Sequence, residues 1–368
     1  MRSNSLKASG SALLAGCSFN LINRINRSYY AMIKKTKIDV PKYIDDRRPV
    51  SLKSMGNIKQ ITILDRQNSG ATIKPISAHE YMVVSTGEVR KIVYHAHDRT
   101  GNIRSLEKTM RNLRDLINTN VTPSNIQQVR FITLTYRENM RDTEKLYTDF
   151  RDFNKRLRRY VKKEYELSYE YIVCVEAQGR GAFHLHMIAI FPHIPPFIEN
   201  EKLSKLWSHG FVSIKSLNGN IDNIGAYLTA YLSDLDIESG IPLTSDLLQG
   251  ELREVLTEQG NNKHIIKGAR LKLLPVGLNI YRYSRGIQKP VIEKMSYGDA
   301  LDALSNANYQ KVHESAIKIS DSERDFNNTY ISQIYKQLIN PSFQRNGSTK
   351  QNTKNQNSQN KHTPKTNK

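Results

Sequence analysis

Two histidines one residue apart, His184 and His186, lie in the stretch VEAQGRGAFHLHMIAI at residues 175–190, and Glu176 stands eight positions before the first. Imidazoles and carboxylates ligate metals, so the question is whether the three side chains meet. The flanking runs YIVCVEAQ and AFHLHMIAIF are β-branched and aromatic, the composition of strands. Between them Gly179, Arg180 and Gly181 supply turn chemistry. The two runs predict a β-hairpin centred near Arg180, with Glu176 opposite His184 and Cys174 opposite His186. Side chains alternate faces along a strand. Glu176, His184 and His186 then share one face, while Val173, Val175, Phe183, Leu185 and Met187 take the other, toward the core. Facing Cβ atoms sit about 5 Å apart, which lets three side chains reach one ion. Two imidazoles and a carboxylate suit Mn²⁺, Zn²⁺ or a loosely held Mg²⁺. The competing reading is an ordinary exposed sheet face, and a one-residue slip in register would part the three groups.

A second pair stands further along. Tyr227 and Tyr231 lie in IDNIGAYLTAYLSDL, residues 221–235, which reads as a helix with Ile221, Ile224, Leu228, Leu232 and Leu235 inward. A spacing of four stacks both hydroxyls on one flank, a turn apart. A phenol with a pKa of about 10 is a poor nucleophile at neutral pH, unless a nearby metal polarises the phosphate under attack. Such an attack would leave a covalent tyrosyl phosphate and a free 3′-hydroxyl. Taken alone, tyrosines at this spacing are more often packing residues; the histidine hairpin is what gives them chemical interest.

The elements that must position these groups follow from composition and periodicity. The chain has 368 residues, a formal net charge of +20 and a pI near 9.7. That charge calls for a polyanionic partner, nucleic acid ahead of an anionic membrane. No apolar run approaches the ~18 residues of a membrane helix, and two cysteines, Cys17 and Cys174, suit a reducing, cytoplasmic setting rather than a disulfide scaffold. The SALLAGC stretch ending at Cys17 is a weak imitation of a lipoprotein cleavage site, and Met32 offers a second start. Residues 105–117 have helical spacing with Leu106, Met110, Leu113 and Ile117 on one face. VRFITLTY, 129–136, is a strand. A long helix from about Asp142 carries the stripe Leu146, Phe150, Phe153, Leu157 and Val161. EKLSKLW reads as a short helix, GFVSIKSL as a strand, and ARLKLL and NIYRYS as short strands or edge segments. Strands and helices mix without βαβ alternation, so the expected class is α+β, a mostly antiparallel central sheet flanked by helices. From about Pro341 the Asn, Gln, Lys, Ser and Thr composition predicts a disordered basic tail.

Three motifs in order resemble the HUH endonucleases, the rolling-circle replication initiators of plasmids and single-stranded-DNA phages: FITLTY at 131–136, FHLHMIAIF at 183–191 and AYLTAYLSD at 226–234. The hairpin context and KGARLKLLPVGLNIYRYSRGIQKP are most similar to the branch with the filamentous-phage gene II protein and Gram-positive plasmid initiators. The resemblance covers roughly 125–290. It implies the HUH/Rep nuclease fold, ferredoxin- or RRM-like, with His184, His186 and Glu176 holding Mg²⁺ or Mn²⁺ and Tyr227 and Tyr231 as nucleophiles. It further implies site-specific nicking and strand transfer through a 5′-phosphotyrosine on single-stranded or hairpin origin DNA. No phosphate-binding loop occurs in the sequence, so a host helicase and the host replication machinery are the implied partners. The family often has a lysine three residues after a tyrosine; here those positions are Ala230 and Asp234, with Lys215, Lys272, Arg282 and Arg285 as candidate substitutes. A conjugative relaxase with the same chemistry, or a nicking-defective origin-binding protein, are the alternatives. The expected division is a poorly structured 1–40, an accessory region 41–124, the nuclease at 125–290, a helical extension at 291–340 and the tail at 341–368.

Overall fold

The computed structural model describes residues 33–67, 73–77, 80–91, 103–178, 182–217, 223–236, 252–256, 262–266, 268–275, 277–321 and 326–338. The SALLAGC stretch, the Gly179–Gly181 turn, Ile221 and the basic tail lie outside them. The first strands are β1 (Ile33–Ile38), β2 (Pro49–Met55), β3 (Ile58–Leu64), β4 (Ile73–Pro75), β5 (Glu80–Val83) and β6 (Val89–Lys91). Then come α1 (Ile103–Asn120), β7 (Val129–Tyr136), α2 (Thr143–Tyr165), β8 (Glu170–Ala177), β9 (Phe183–Ile190), α3 (Asn200–Trp207), β10 (Gly210–Ser216) and α4 (Ile224–Ser233). The chain continues through β11 (Leu235–Asp236), β12 (Leu252–Leu256), β13 (Asn262–Ile266), a 3₁₀ turn (Ala269–Leu273), β14 (Tyr281–Tyr283), β15 (Val291–Ser296), α5 (Tyr297–Asn306), β16 (Tyr309–Asp321) and β17 (Phe326–Gln337). The class is α+β, as expected, and every pairing in its two large sheets is antiparallel.

The sheet that bears the histidines has the order β10-β7-β9-β8-β14. The period-two alternation of its strands sorts side chains onto two buried faces. On one, Ile132, Leu134, Val173, Val175, Leu185 and Met187 meet the stripe Leu146, Phe150, Phe153, Leu157 and Val161 of α2. Each such side chain, fully buried, stabilises by about 1.5–3 kcal/mol. The helix α2 starts where Asp142 accepts the backbone N–H groups of Glu144 and Lys145, and ends with Lys162 and Lys163 against its negative pole. On the other face, Ile172, Cys174 and Ile188 lie under Leu113, Leu116 and Ile117 of α1 and Ile224 and Leu228 of α4. ARLKL, expected as a short strand or edge segment, forms the 3₁₀ turn instead: Gly268, at φ 70°, turns the chain and its N–H is held by the Asp234 carboxylate at 2.9 Å.

The second large sheet, β1-β16-β17-β3-β2-β15, is built from the two ends of the described chain. Val50, Leu52, Ile61, Ile63, Ala316 and Ile331 form its core with Ala300 and Leu304 of α5. The described residues of 291–340, a stretch expected as a helical extension, therefore hold one helix and three strands. The physical reason is composition: SAIKIS and NTYISQIY are β-branched and aromatic, and only YGDALDALSN, capped by Ser296, suits a helix. The helix α1 joins the two sheets. Its Asp115 pairs with Lys53 of β2 at 2.7 Å, both side chains largely buried, and Asn120 exchanges two 2.8 Å hydrogen bonds with the backbone of Gln288. Among the described residues no helix is long and apolar enough to cross a membrane.

Candidate active site

The hairpin has the expected register: Ala177 faces Phe183, Glu176 faces His184 and Cys174 faces His186. Because β9 also pairs with β7, Thr133 faces His186 from the far side and Thr135 faces His184. Candidate ligand atoms of Glu176, His184 and His186 all lie within 4.8 Å of one another. Glu176 and His186 are nearly inaccessible, 4 and 1 % exposed, and His184 is half-buried. The three side chains thus come together where β8 ends and β9 begins.

His186 is held on every side. Its Nε2 contacts a Glu176 carboxylate oxygen, its Nδ1 lies 3.1 Å from Thr133 Oγ1, and Phe131 stacks on its ring at 5.4 Å. Burial pulls its pKa down to about 4, because charging the ring in an apolar surround is costly. The ring is therefore neutral at pH 7, the form that ligates metals. A ring giving Nε2 to a cation keeps its proton on Nδ1 and donates it to the Thr133 hydroxyl, the outer contact that fixes ligating histidines elsewhere. Two imidazoles, one of them held neutral, and one buried carboxylate form a donor set that fits a divalent ion.

Arg270 also enters the site. It comes from the 3₁₀ turn, and its guanidinium pairs with the Glu176 carboxylate. The pairing neutralises a carboxylate that would otherwise be buried with its charge uncompensated. Burial lowers the pKa of Arg270. This residue is not among the cations that the sequence suggests as substitutes. Of those, Arg282 lies over the ring of Tyr147, 3.4 Å from its centroid, and is paired with Val173, whose side chain belongs to the α2 face. It thus stands on the opposite side of the sheet. Lys215 is exposed on the edge strand β10. The only in-sequence cue to Arg270 is its place two residues after Gly268, in a segment whose composition reads as strand.

Tyr227 and Tyr231 lie one turn apart on α4, which runs across β8, the strand that carries Glu176. The helix begins at Asn223, whose side chain accepts the Ala226 N–H at 2.8 Å, and is anchored by Ile224 and Leu228 in the core. It presses closely on α1. The Gly225 N–H donates to Asn118 Oδ1 at 2.9 Å, and a Cβ on Gly225 would meet Arg114 O at 2.5 Å. Ala230 is exposed, and Asp234 caps the end of α4 while holding Gly268. Of the two positions, Ala230 is simply open at the surface, whereas Asp234 fastens beside α4 the segment that bears Arg270.

The chain matches none of the curated proteins and none of the solved structures to significance. Residues 129–236, from the first strand of the histidine-bearing sheet to the end of the tyrosine helix and β11, match the family model described as replication-associated protein, of the ORF2 and gene II protein type.

Proposed function

We propose that the protein is a rolling-circle replication initiator, a metal-dependent nickase and strand transferase acting on single-stranded or hairpin origin DNA. The observation that carries this is the Glu176–His184–His186 cluster, on a sheet whose strand β8 packs against the tyrosine helix and inside the stretch that matches replication-associated proteins. In this reading Glu176, His184 and His186 hold Mg²⁺ or Mn²⁺, which when bound offsets phosphate charge and polarises the phosphoryl oxygens. The hydroxyl oxygen of Tyr227 or Tyr231 attacks the phosphorus and gives up its proton. The bond from phosphorus to the 3′ oxygen breaks, that oxygen takes a proton, and the 5′ end stays on the tyrosine. The phosphodiester is conserved as a tyrosyl ester, so the second tyrosine can repeat the step and close the circle. In this reading Arg270, held beside Glu176, takes the part of the phosphate-neutralising cation that Ala230 and Asp234 do not supply. The nuclease unit is 125–290 together with α1, whose leucines close its second core. Unwinding of the duplex falls to a host helicase.

The test mixes purified protein with end-labelled single-stranded DNA of its own replicon and Mn²⁺ or Mg²⁺, followed by a denaturing gel. A metal-requiring protein–DNA band, lost in Tyr227→Phe or Tyr231→Phe, is the expected result and assigns the nucleophile. Tight binding with no adduct under any metal would refute the chemistry and leave an origin-binding protein.

A further inference from the structure

We propose that the cleft between α1 and the junction of the two large sheets is a single-stranded-DNA-binding site distinct from the nicking residues. It has a volume of about 960 Å³ and is walled by one side of α1, by β14 and by the approach to β15. Five basic side chains line it against two carboxylates. Both carboxylates are already engaged, Asp115 with Lys53 and Glu107 with Lys35. Lys108, Arg111 and Lys289 remain, all exposed and with no ion pair among the described residues. Lys108 and Arg111 stand three apart on α1 and so lie on the same side of the helix.

Beside these cations stand two aromatic rings. Tyr281 and Tyr283 alternate on β14, the last strand of its sheet among the described residues, and therefore share a face. Their rings are near parallel, 21° apart with centroids at 6.2 Å, and Tyr283 is 39 % exposed. Tyr281 is half-buried against the second core and backs the exposed Tyr283 ring; cations for the phosphate backbone beside an exposed aromatic platform are the arrangement that tracks unpaired strands, since only an unstacked base can lie on the ring. A duplex or a membrane surface would use the cations and leave the tyrosines idle. Tyr281 faces Cys174, which faces His186, so Tyr281 stands two strands, about 10 Å, from the histidine. One bound strand is long enough to reach both places. The inference borrows from the proposed function only the identity of the polyanion.

The experiment uses the full chain and a fluorescein-labelled single-stranded oligonucleotide, with binding followed by anisotropy across a salt series and Mn²⁺ binding followed by calorimetry. Tyr283→Ala should weaken binding about five- to hundredfold, and Tyr283→Phe should restore it. The triple variant Lys108→Ala, Arg111→Ala, Lys289→Ala should make the slope of log K against log salt shallower by about 2. All should bind Mn²⁺ as the wild type does, and Lys162→Ala with Lys163→Ala on α2 should change nothing. An unchanged slope with Tyr283→Ala binding normally overturns the proposal, as does a loss seen for duplex but not for single strands. Loss of binding as stated in a protein that forms no adduct with any DNA supports the cleft while refuting the nickase.

Discussion

Gly225 offers a way to move the tyrosine helix without touching a reacting group. An added Cβ would lie 2.5 Å from the Arg114 carbonyl oxygen of α1 and 2.6 Å from Asn118 Oδ1. The first of these is backbone within a helix and cannot swing aside. Restoring an ordinary 3.4 Å contact requires α4 to retreat by 0.9 Å, the difference between 3.4 and 2.5 Å, and weakens the 2.9 Å bond from Gly225 N–H to Asn118. Overpacking of this kind costs about 1–3 kcal/mol, while alanine in a helix returns about 1 kcal/mol over glycine. Gly225→Ala should therefore cost about 1 kcal/mol, a shift of a few degrees in Tm. The chemical effect should be far larger, because a displacement near 1 Å at a reacting group costs about a hundredfold in rate. The assay is the single-turnover rate of adduct formation beside Mn²⁺ affinity and the melting temperature. Expected is a rate about a hundredfold lower with Mn²⁺ affinity unchanged, since Glu176, His184 and His186 lie on the sheet and not on α4. An adduct rate within about twofold of wild type would show that the closeness of α4 to α1 does not set the chemistry.

Two further predictions concern the metal cluster. The His186 ring, pulled to about pKa 4 by burial from an ordinary 6.5, binds protons less well folded than unfolded. Its contribution is present above pH 6.5 and is lost as pH falls toward 4, a loss of about 3 kcal/mol. Thermal melts of chelator-treated protein from about pH 7.5 to about 4.5 should show this fall, and it should shrink in His186→Asn; an equal fall in the variant would exclude His186 as its source. Arg270→Ala leaves the Glu176 carboxylate buried with only the neutral His186 ring against it and no counter-charge, at a cost of about 3–5 kcal/mol. The variant should melt well below wild type in chelator and recover most of the difference in excess Mn²⁺, whereas equal melting in chelator would show that the pair carries no such weight.

How far these features can be read from the letters depends on how local the cause is. The hairpin register is legible because period-two alternation acts within one short stretch, and the apolar face Val173, Val175, Leu185, Met187 admits no slip. The α2 stripe is legible for the same reason, its apolar positions recurring at helical spacing. The pairing of β14 with β8 is not, since it joins residues far apart in the chain through a three-residue strand with no distinctive pattern. Nor is the six-stranded sheet, which brings 33–64 together with 291–337. Backbone pairing of β1 with β16, β2 with β15 and β3 with β17, over one shared apolar core, sets one end beside the other, and no local pattern announces pairings of that span. A helical 291–340 fails because YGDALDALSN, the one strong helix former there, is followed by longer β-branched runs that pair with each other and with β1 and β3.

The absent lysine shows the same limit at the site itself. A missing cation at a motif position reads, in one dimension, as lost function. In three dimensions Asp234 stands there to accept the Gly268 N–H, and the turn so anchored delivers Arg270 to Glu176 from another segment. A lysine at 234 would put a cation near the helix but release the turn that carries the arginine. The two arrangements exclude each other, so Asp234→Lys is expected to be no repair: it should lower adduct formation rather than raise it, and Asp234→Asn, which keeps the accepting oxygen, should retain most of the rate. A gain of activity in Asp234→Lys would mean that the expected lysine is what the site lacks, and that Arg270 serves only to neutralise a buried carboxylate.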